Sequence, residues 1–315
     1  MKALVTGGAG FLGRYLVKEL QKSGIETVSY DLENVNYSPG ENAESVRHIQ
    51  GDILDGESLA LAMEGCDLVF HTAAIADIDV ARTVPVRTME VNGIGTAKCL
   101  EAACNAGVRR FMFASSVYTS GIHGSFYRVS KQVGESLCKT FYEEFGLEYT
   151  ILRYGSLYGS DSNHWNFVNN VCRELLTKGE FTYLSSPDSV REYIHIQDAA
   201  RETVRIAQDK DFINKAAMIT GHQRMKIEEF FEIIREIINR DIAIHYTPKE
   251  KQRHYVMTPY SLEADIPVRV NLSTYIDINE GILGCLREVQ KECESDYEIK
   301  ETNATAGDDN DRNKR

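Results

Sequence analysis

Paired cysteines are missing from this chain. Its seven cysteines, Cys66, Cys99, Cys104, Cys138, Cys172, Cys285 and Cys293, stand without a Cys-x-x-Cys spacing. Neither a structural zinc site nor a disulfide framework is therefore indicated, no metal is expected, and the thiols read as buried or incidental. Basic charge is also short. Lys and Arg number 35 against 47 Asp and Glu, for a formal net charge of -12 and a pI near 5.2. Such a field disfavours loose attachment to nucleic acid or to an anionic membrane, so neither is expected as a partner, and an anionic substrate would need a local basic pocket. No apolar run is long enough to span a bilayer. Only Lys2 precedes the apolar Ala3-Leu4-Val5, and no small-residue cleavage signal follows, so the expected location is cytoplasmic. No internal repeat is visible. In such a setting the Asn-x-Ser/Thr sequences at Asn271 and Asn303 are coincidental.

What is present suits a globular enzyme. With 315 residues, 43% of them hydrophobic, the chain can bury a full core as one large domain or two closely joined ones. In the first half, short apolar runs (Lys2 to Val5, Thr27 to Tyr30, Arg47 to Gln50, Leu68 to Thr72, Phe111 to Ala114, Tyr149 to Arg153) alternate with amphipathic stretches (Arg14 to Ser23, Ser58 to Met63, Gly93 to Ala106). That alternation predicts an α/β fold with a doubly wound parallel sheet of Rossmann type. After about residue 155 the rhythm becomes irregular, with helical spacing at Phe167 to Lys178 and Lys226 to Asn239. The expected division is a dinucleotide-binding domain over 1–155, to which later segments return, and a smaller, mainly substrate-binding lobe over 156–290. A polar tail over 291–315 is expected to be disordered. Ser185-Ser186-Pro187 reads as a loop over a site or as a plain surface turn.

Thr6-Gly7-Gly8-Ala9-Gly10-Phe11-Leu12-Gly13 follows the first strand directly and opens a helix. Gly7 permits a tight turn, Gly10 a close approach to a pyrophosphate, and Gly13 close packing of helix on strand, while the helix N-terminus offers free N–H groups to phosphates. A glycine-rich turn could also be purely structural. Asp31 ends the second strand, where its carboxylate can accept from ribose hydroxyls and would repel a phosphate there, so NAD is favoured over NADP. A turn or capping role is its alternative.

Tyr127-Arg128-Val129-Ser130-Lys131 opens a helical segment, and four residues' separation puts Tyr127 and Lys131 on one face. An adjacent ammonium favours the phenolate, so Tyr127 could take a hydroxyl proton while hydride leaves the same carbon, with Ser116 hydrogen-bonding that hydroxyl. The alternative is a surface aromatic beside a solvated lysine.

In combination these motifs, with Gly51-Asp52-Ile53-Leu54-Asp55, His71-Thr72-Ala73-Ala74, Asn92-Gly93-Ile94-Gly95-Thr96, Leu152-Arg153-Tyr154 and Arg191-Glu192-Tyr193-Ile194-His195, make the chain resemble the extended short-chain dehydrogenase/reductase family. The similarity is to its NAD-dependent epimerase/dehydratase branch, typified by UDP-glucose 4-epimerase, and runs from Met1 to about Leu286. The resemblance implies a catalytic set of Ser116, Tyr127 and Lys131. It implies NAD contacts from Gly7, Gly10, Phe11, Leu12, Gly13, Asp31, Asp52, Ile53, Ala73, Ala74, Asn92, Tyr127 and Lys131. Ser116, Ser156 and Arg191 would bind a UDP- or dTDP-linked sugar, Arg191 through the diphosphate. The chain departs from the family in three places. Only 11 residues separate Ser116 from Tyr127, Val117 and Tyr118 stand where dehydratases carry an acidic pair, and Ser156 replaces a frequent asparagine. A 4,6-dehydratase and a nucleotide-sugar decarboxylase are thereby disfavoured. The leading expectation is a nucleotide-sugar 4-epimerase; a 4-ketoreductase or dehydrogenase is the alternative, and a non-catalytic dinucleotide sensor a third reading. A homodimer is implied, with Gly93 to Ala106 and Ser130 to Phe145 as candidate contact helices whose apolar residues could equally face the sheet.

Overall fold

The computed structural model describes residues 1–34, 46–162, 166–221, 224–238 and 241–247. Along the chain the elements are β1 (Lys2–Thr6), α1 (Phe11–Lys22), β2 (Glu26–Asp31), β3 (Val46–Gln50), α2 (Gly56–Met63), β4 (Leu68–His71), α3 (Ile78–Thr83), α4 (Pro85–Met89), α5 (Gly95–Asn105), β5 (Arg110–Ser116), α6 (Ser125–Phe145) and β6 (Glu148–Tyr154). They continue with β7 (Ser156–Tyr158), α7 (Phe167–Lys178), β8 (Glu180–Tyr183), β9 (Val190–His195), α8 (Ile196–Gln208), β10 (Lys215–Ile219), β11 (Arg224–Lys226), α9 (Ile227–Ile238) and β12 (Ala243–Tyr246). A π-turn, Glu90–Ile94, leads into α5, and a 3₁₀ turn, Val117–Ser120, follows β5.

Seven strands form one sheet in the order β3-β2-β1-β4-β5-β6-β10, every neighbouring pair parallel. Side chains alternate across it. Ala3, Val5, Phe70 and Met112 pack under Leu16 and Leu20 of α1 and Val204 of α8, whereas Leu4, Val69, Phe111 and Phe113 pack under Leu59 of α2, Leu100 of α5 and Cys138 of α6. Both faces being covered, the central strands β4 and β5 are buried along their whole length, which is why they read as continuous apolar runs. Each large side chain buried in this way contributes about 1.5–3 kcal/mol. The doubly wound α/β architecture expected from the alternating pattern is the one observed.

The second half of the chain is divided between two destinations. Helix α8 packs on α1 and β10 extends the main sheet beside β6. Strands β7, β9 and β11 form a small sheet, and β8 and β12 another, with Phe181 and Phe231 buried between the latter and helices α7 and α9. Helix α8 was not anticipated from the sequence, although Ile196, Ala199, Ala200, Thr203, Val204 and Ala207 have helical spacing and are all buried. The expected tail, together with Asn271, Cys285, Cys293 and Asn303, lies outside the described residues.

Candidate active site

The parallel sheet brings the carboxyl ends of β1, β2, β4 and β5 to one edge, and the loops leaving them line a single cavity of about 600 Å³. At its glycine end the chain leaves β1 through Gly7, whose φ of +70° is left-handed; a Cβ there would stand 2.6 Å from the backbone nitrogen of Ala73. Gly13, in the first turn of α1, lies so close to the Gly7 carbonyl that any Cβ would overlap it. Gly10 caps α1 in an extended conformation with no side-chain acceptor. The N–H groups of the first turn therefore face the cavity region uncapped by any side chain, which suits an anion. Asp31 lines the same end, its Oδ2 accepting from the Ala9 N–H at 2.9 Å and its Oδ1 from Glu33 N–H at 3.1 Å. Its two readings are thus compatible, since the carboxylate shapes the glycine loop and keeps lone pairs for a ribose. Asp52 and Ile53 line the wall beside it, and the Tyr30 hydroxyl donates to the Asp52 carbonyl at 2.9 Å.

At the other end β5 delivers Ser116, and α6 delivers Tyr127 and Lys131. Helix α6 lies tightly on the sheet because Gly134 has no side chain where the Phe113 ring sits. Ser116 and Tyr127 both line the cavity, and the Ser116 Oγ accepts from the Tyr118 N–H at 3.4 Å. Lys131 is buried, its Nζ donating to the Ala114 carbonyl at 2.7 Å, 5.8 Å from the centre of the Tyr127 ring. The electrostatics correct a sequence expectation. Burial pushes the Tyr127 phenol up to about 12, and the nearby Ser116 hydroxyl offsets only part of this. Burial also pulls the Lys131 ammonium down to about 8, with Cys138 and Glu135 acting in the opposite sense. Desolvation, rather than the neighbouring ammonium, thus dominates at the tyrosine.

Asn92 lies behind the cavity instead of lining it. Its Nδ2 donates to the Ile75 carbonyl (3.0 Å) and to Ser130 Oγ (2.9 Å), and its Oδ1 accepts from Ile75 N–H (2.8 Å). These bonds tie the turn carrying Ala73 and Ala74, both on the wall, to α6. Ser156 lines the cavity. Arg191 does not. It is buried within β9, between β7 and β11, where its guanidinium donates to the Val190 carbonyl at 3.0 Å and to the Tyr183 hydroxyl at 3.3 Å. The cations among the described lining residues are Lys131 and Arg87.

The sequence profile of the NAD dependent epimerase/dehydratase family matches residues 3–219. The chain belongs to the NAD-dependent epimerase/dehydratase family. It is accordingly an NAD-dependent enzyme of the extended short-chain dehydrogenase/reductase type. An uncharacterized UDP-glucose epimerase of Bacillus subtilis is 26% identical over 278 residues, covering 79% of this chain and 86% of that one. A putative UDP-glucose 4-epimerase of Methanocaldococcus jannaschii is 26% identical over 302 residues, or 89% and 95% of the two chains. Among solved structures, the UDP-glucose 4-epimerase of Thermotoga maritima with UDP-glucose superposes with a TM-score of 0.73 at 26% identity, covering 82% of this chain and 89% of that one.

The cradle of this family member fits a dinucleotide on its own geometry, through the side-chain-free positions at Gly7 and Gly13, the uncapped N-terminus of α1 and the Asp31 carboxylate. Sequence reasoning missed other wall residues of the epimerase/dehydratase cavity: Leu32, Ile78, Arg87, Val91, Leu157 and Asn166. Leu32 could have been found as the neighbour of Asp31. The rest come from short helices, loops and the short strand β7, whose approach to the cavity is set only by packing.

Proposed function

We propose that this chain is an NAD-dependent nucleotide-sugar epimerase of the 4-epimerase type, acting on a UDP- or dTDP-linked hexose. The observation that carries the reading is that Ser116, Tyr127 and Lys131 line one cavity with the glycine cradle. NAD bound there supplies reversible hydride acceptance. Ser116 and Tyr127 hold the sugar hydroxyl, and Tyr127 accepts its proton as the alcohol is oxidised and returns it when the ketone is reduced from the other face. A half-buried phenol held near 12 stays protonated at neutral pH, so it is present as a donor but the phenolate needed as base is scarce. The oxidising direction therefore relies on positive charge in the site, which the Lys131 ammonium provides at neutral pH.

A dehydratase needs a further acid beside the sugar. The cavity's carboxylates among the described residues are Asp31 and Asp52, both at the glycine end, while Val117 and Tyr118 take the positions next to Ser116. We assign the substrate diphosphate to Arg87 in place of the buried Arg191, and the sugar end of the cavity to Ser156, Leu157 and Asn166. A homodimer through α5 and α6 is part of the proposal, supported by the exposed Phe126 and Val129 of α6 and by Ile94 just before α5. So is a cytoplasmic location, which the free thiols among the described residues suit.

The test is incubation of the purified protein with UDP-glucose and with dTDP-glucose, following epimer formation by chromatography and free NADH by absorbance. Epimer without net NADH is expected. Stoichiometric NADH with no epimer would replace the epimerase by a dehydrogenase or ketoreductase.

A further inference from the structure

Glu135 is a buried carboxylate that the proposed chemistry does not use. It lies one helical turn beyond Lys131, on the same face of α6. Four bonds converge on it from three other points of the chain. Ser115 Oγ donates to its Oε1 at 2.6 Å, and the Thr119 hydroxyl lies 3.1 Å from the same oxygen. Arg153 donates from Nε to Oε1 at 2.9 Å and from Nη2 to Oε2 at 2.6 Å. Ser115 and Arg153 are register partners on β5 and β6, so one carboxylate spans both strand ends. Thr119 also lies 2.8 Å from the Ser116 carbonyl, and Gln132 of α6 donates to the Thr119 carbonyl at 3.0 Å.

Ser116 sits inside this frame. The residue before it and the turn after it are both held by Glu135, and on α6 the same carboxylate is rigidly connected to Lys131 and Tyr127. We infer that Glu135 is the positioning residue that registers the Ser116 end of β5 against the Tyr127 and Lys131 face of α6.

Charge agrees with the geometry. Burial works to raise the Glu135 carboxyl, but the bonds from Arg153 and Ser115, the Arg153 charge and Thr119 outweigh it and hold the group below the usual carboxylate range. It is thus an anion at neutral pH. A buried ion pair is a weak source of stability, since apolar residues of like volume would do as well, but it is strict about geometry. The charged and titratable groups around Lys131 are Glu135, Cys138 and Tyr127 on its own helix, His71 on β4, and Arg153 on β6 through Glu135. Of these Glu135 is the anion, and it favours the ammonium form of Lys131.

The inference rests on reading Tyr127 and Lys131 as the proton-transfer pair, and the test separates the two. Glu135→Gln, assayed with NAD and UDP-glucose, should lower kcat about 10- to 100-fold by loosening the constellation, with KM and NAD affinity within about threefold of wild type. The alkaline limb of its kcat profile should move to lower pH by about half a unit or more, because an anion that held the proton on Lys131 is gone. Glu135→Asp keeps the charge on a shorter arm and should restore the limb without restoring kcat. Wild-type kcat and limb in folded Glu135→Gln, or full rescue of kcat by Glu135→Asp, would overturn the inference. If Glu135→Gln does not fold, Ser115→Ala, which removes one bond, decides: lowered kcat at unchanged NAD affinity supports the role, and unchanged kcat ends it. Tyr127→Phe that still turns over would sink the functional reading instead. In that event a ¹³C lysine titration of Lys131 in Glu135→Gln still decides, a lowered midpoint supporting the inference and an unchanged one refuting it.

Discussion

The most consequential side chain is a phenol in the wrong state for half of its task. Tyr127 is protonated far above neutrality because its hydroxyl is buried, while Lys131 spends its nearest contact on the Ala114 carbonyl. Removing the hydroxyl alone isolates the proton-transfer contribution: Tyr127→Phe should lower kcat by about 10²- to 10⁴-fold with NAD affinity nearly unchanged, measured by steady-state epimerisation and by cofactor titration. At the opposite end, Asp31→Ala should weaken NAD binding by about 10- to 100-fold, the loss of one or two charge-assisted hydrogen bonds, and narrow the preference over NADP. Equal affinity of wild type and variant would show that Asp31 serves only the loop it caps. The two arginines divide the carried-over pattern from the observed geometry. Arg87→Ala should raise KM about tenfold, the scale of one charge-assisted contact, whereas Arg191→Ala should cost stability more than substrate affinity. The reverse result would reinstate Arg191 as the diphosphate partner.

Among the elements, α1 and α6 do most of the positioning, and each depends on a glycine that admits no side chain. Gly13 brings α1 against the Gly7 carbonyl and Gly134 brings α6 onto Phe113. Gly134→Ala should destabilise the protein by about 1–3 kcal/mol, the cost of overpacking. Because the displaced helix carries Tyr127 and Lys131, kcat should fall as well. Calorimetry and kinetics on the same sample check both, and an unaltered Tm would mean that the helix can shift without strain. The strands β1, β2, β4, β5 and β6 were legible because burial on both faces makes them apolar runs, and the glycine loop because backbone approach leaves a compositional trace, whereas β7 to β12 were not anticipated. Short α3 and α4 were not anticipated, since a helix of five or six residues leaves little periodicity to read.

For the whole molecule, the core carries its own pH dependence. His71 is sealed between Thr6 Oγ1, 2.7 Å from Nδ1, and Thr96 Oγ1, 2.9 Å from Nε2. Burial, helped by the Lys131 charge, lowers the imidazole to about 3. The unfolded chain then binds one more proton than the native one between about 3 and about 6.5, so stability falls as pH drops through that window, by up to ~1.4 kcal/mol per pH unit. Lys131 has the same sign in another range: with a native value near 8, its burial weakens the fold below that pH, and the loss is relieved as pH rises toward 10.5. Thermal melts of His71→Gln should therefore show a shallower decline than wild type between pH 6.5 and 4. Parallel curves would show that other groups dominate acid unfolding.

Sequence alone determined the parallel α/β scaffold, the glycine loop and the family, and it singled out Ser116, Tyr127 and Lys131 as candidates, because these follow from local backbone demands, from a spacing along one helix or from motifs taken together. Only the tertiary structure decided which charges reach the cavity, that Arg191 is buried against Val190 and Tyr183 while Arg87 lines the pocket, and that burial outweighs the lysine at Tyr127. Desolvation and long-range packing are properties of what surrounds a side chain in space, and residue order does not encode them position by position.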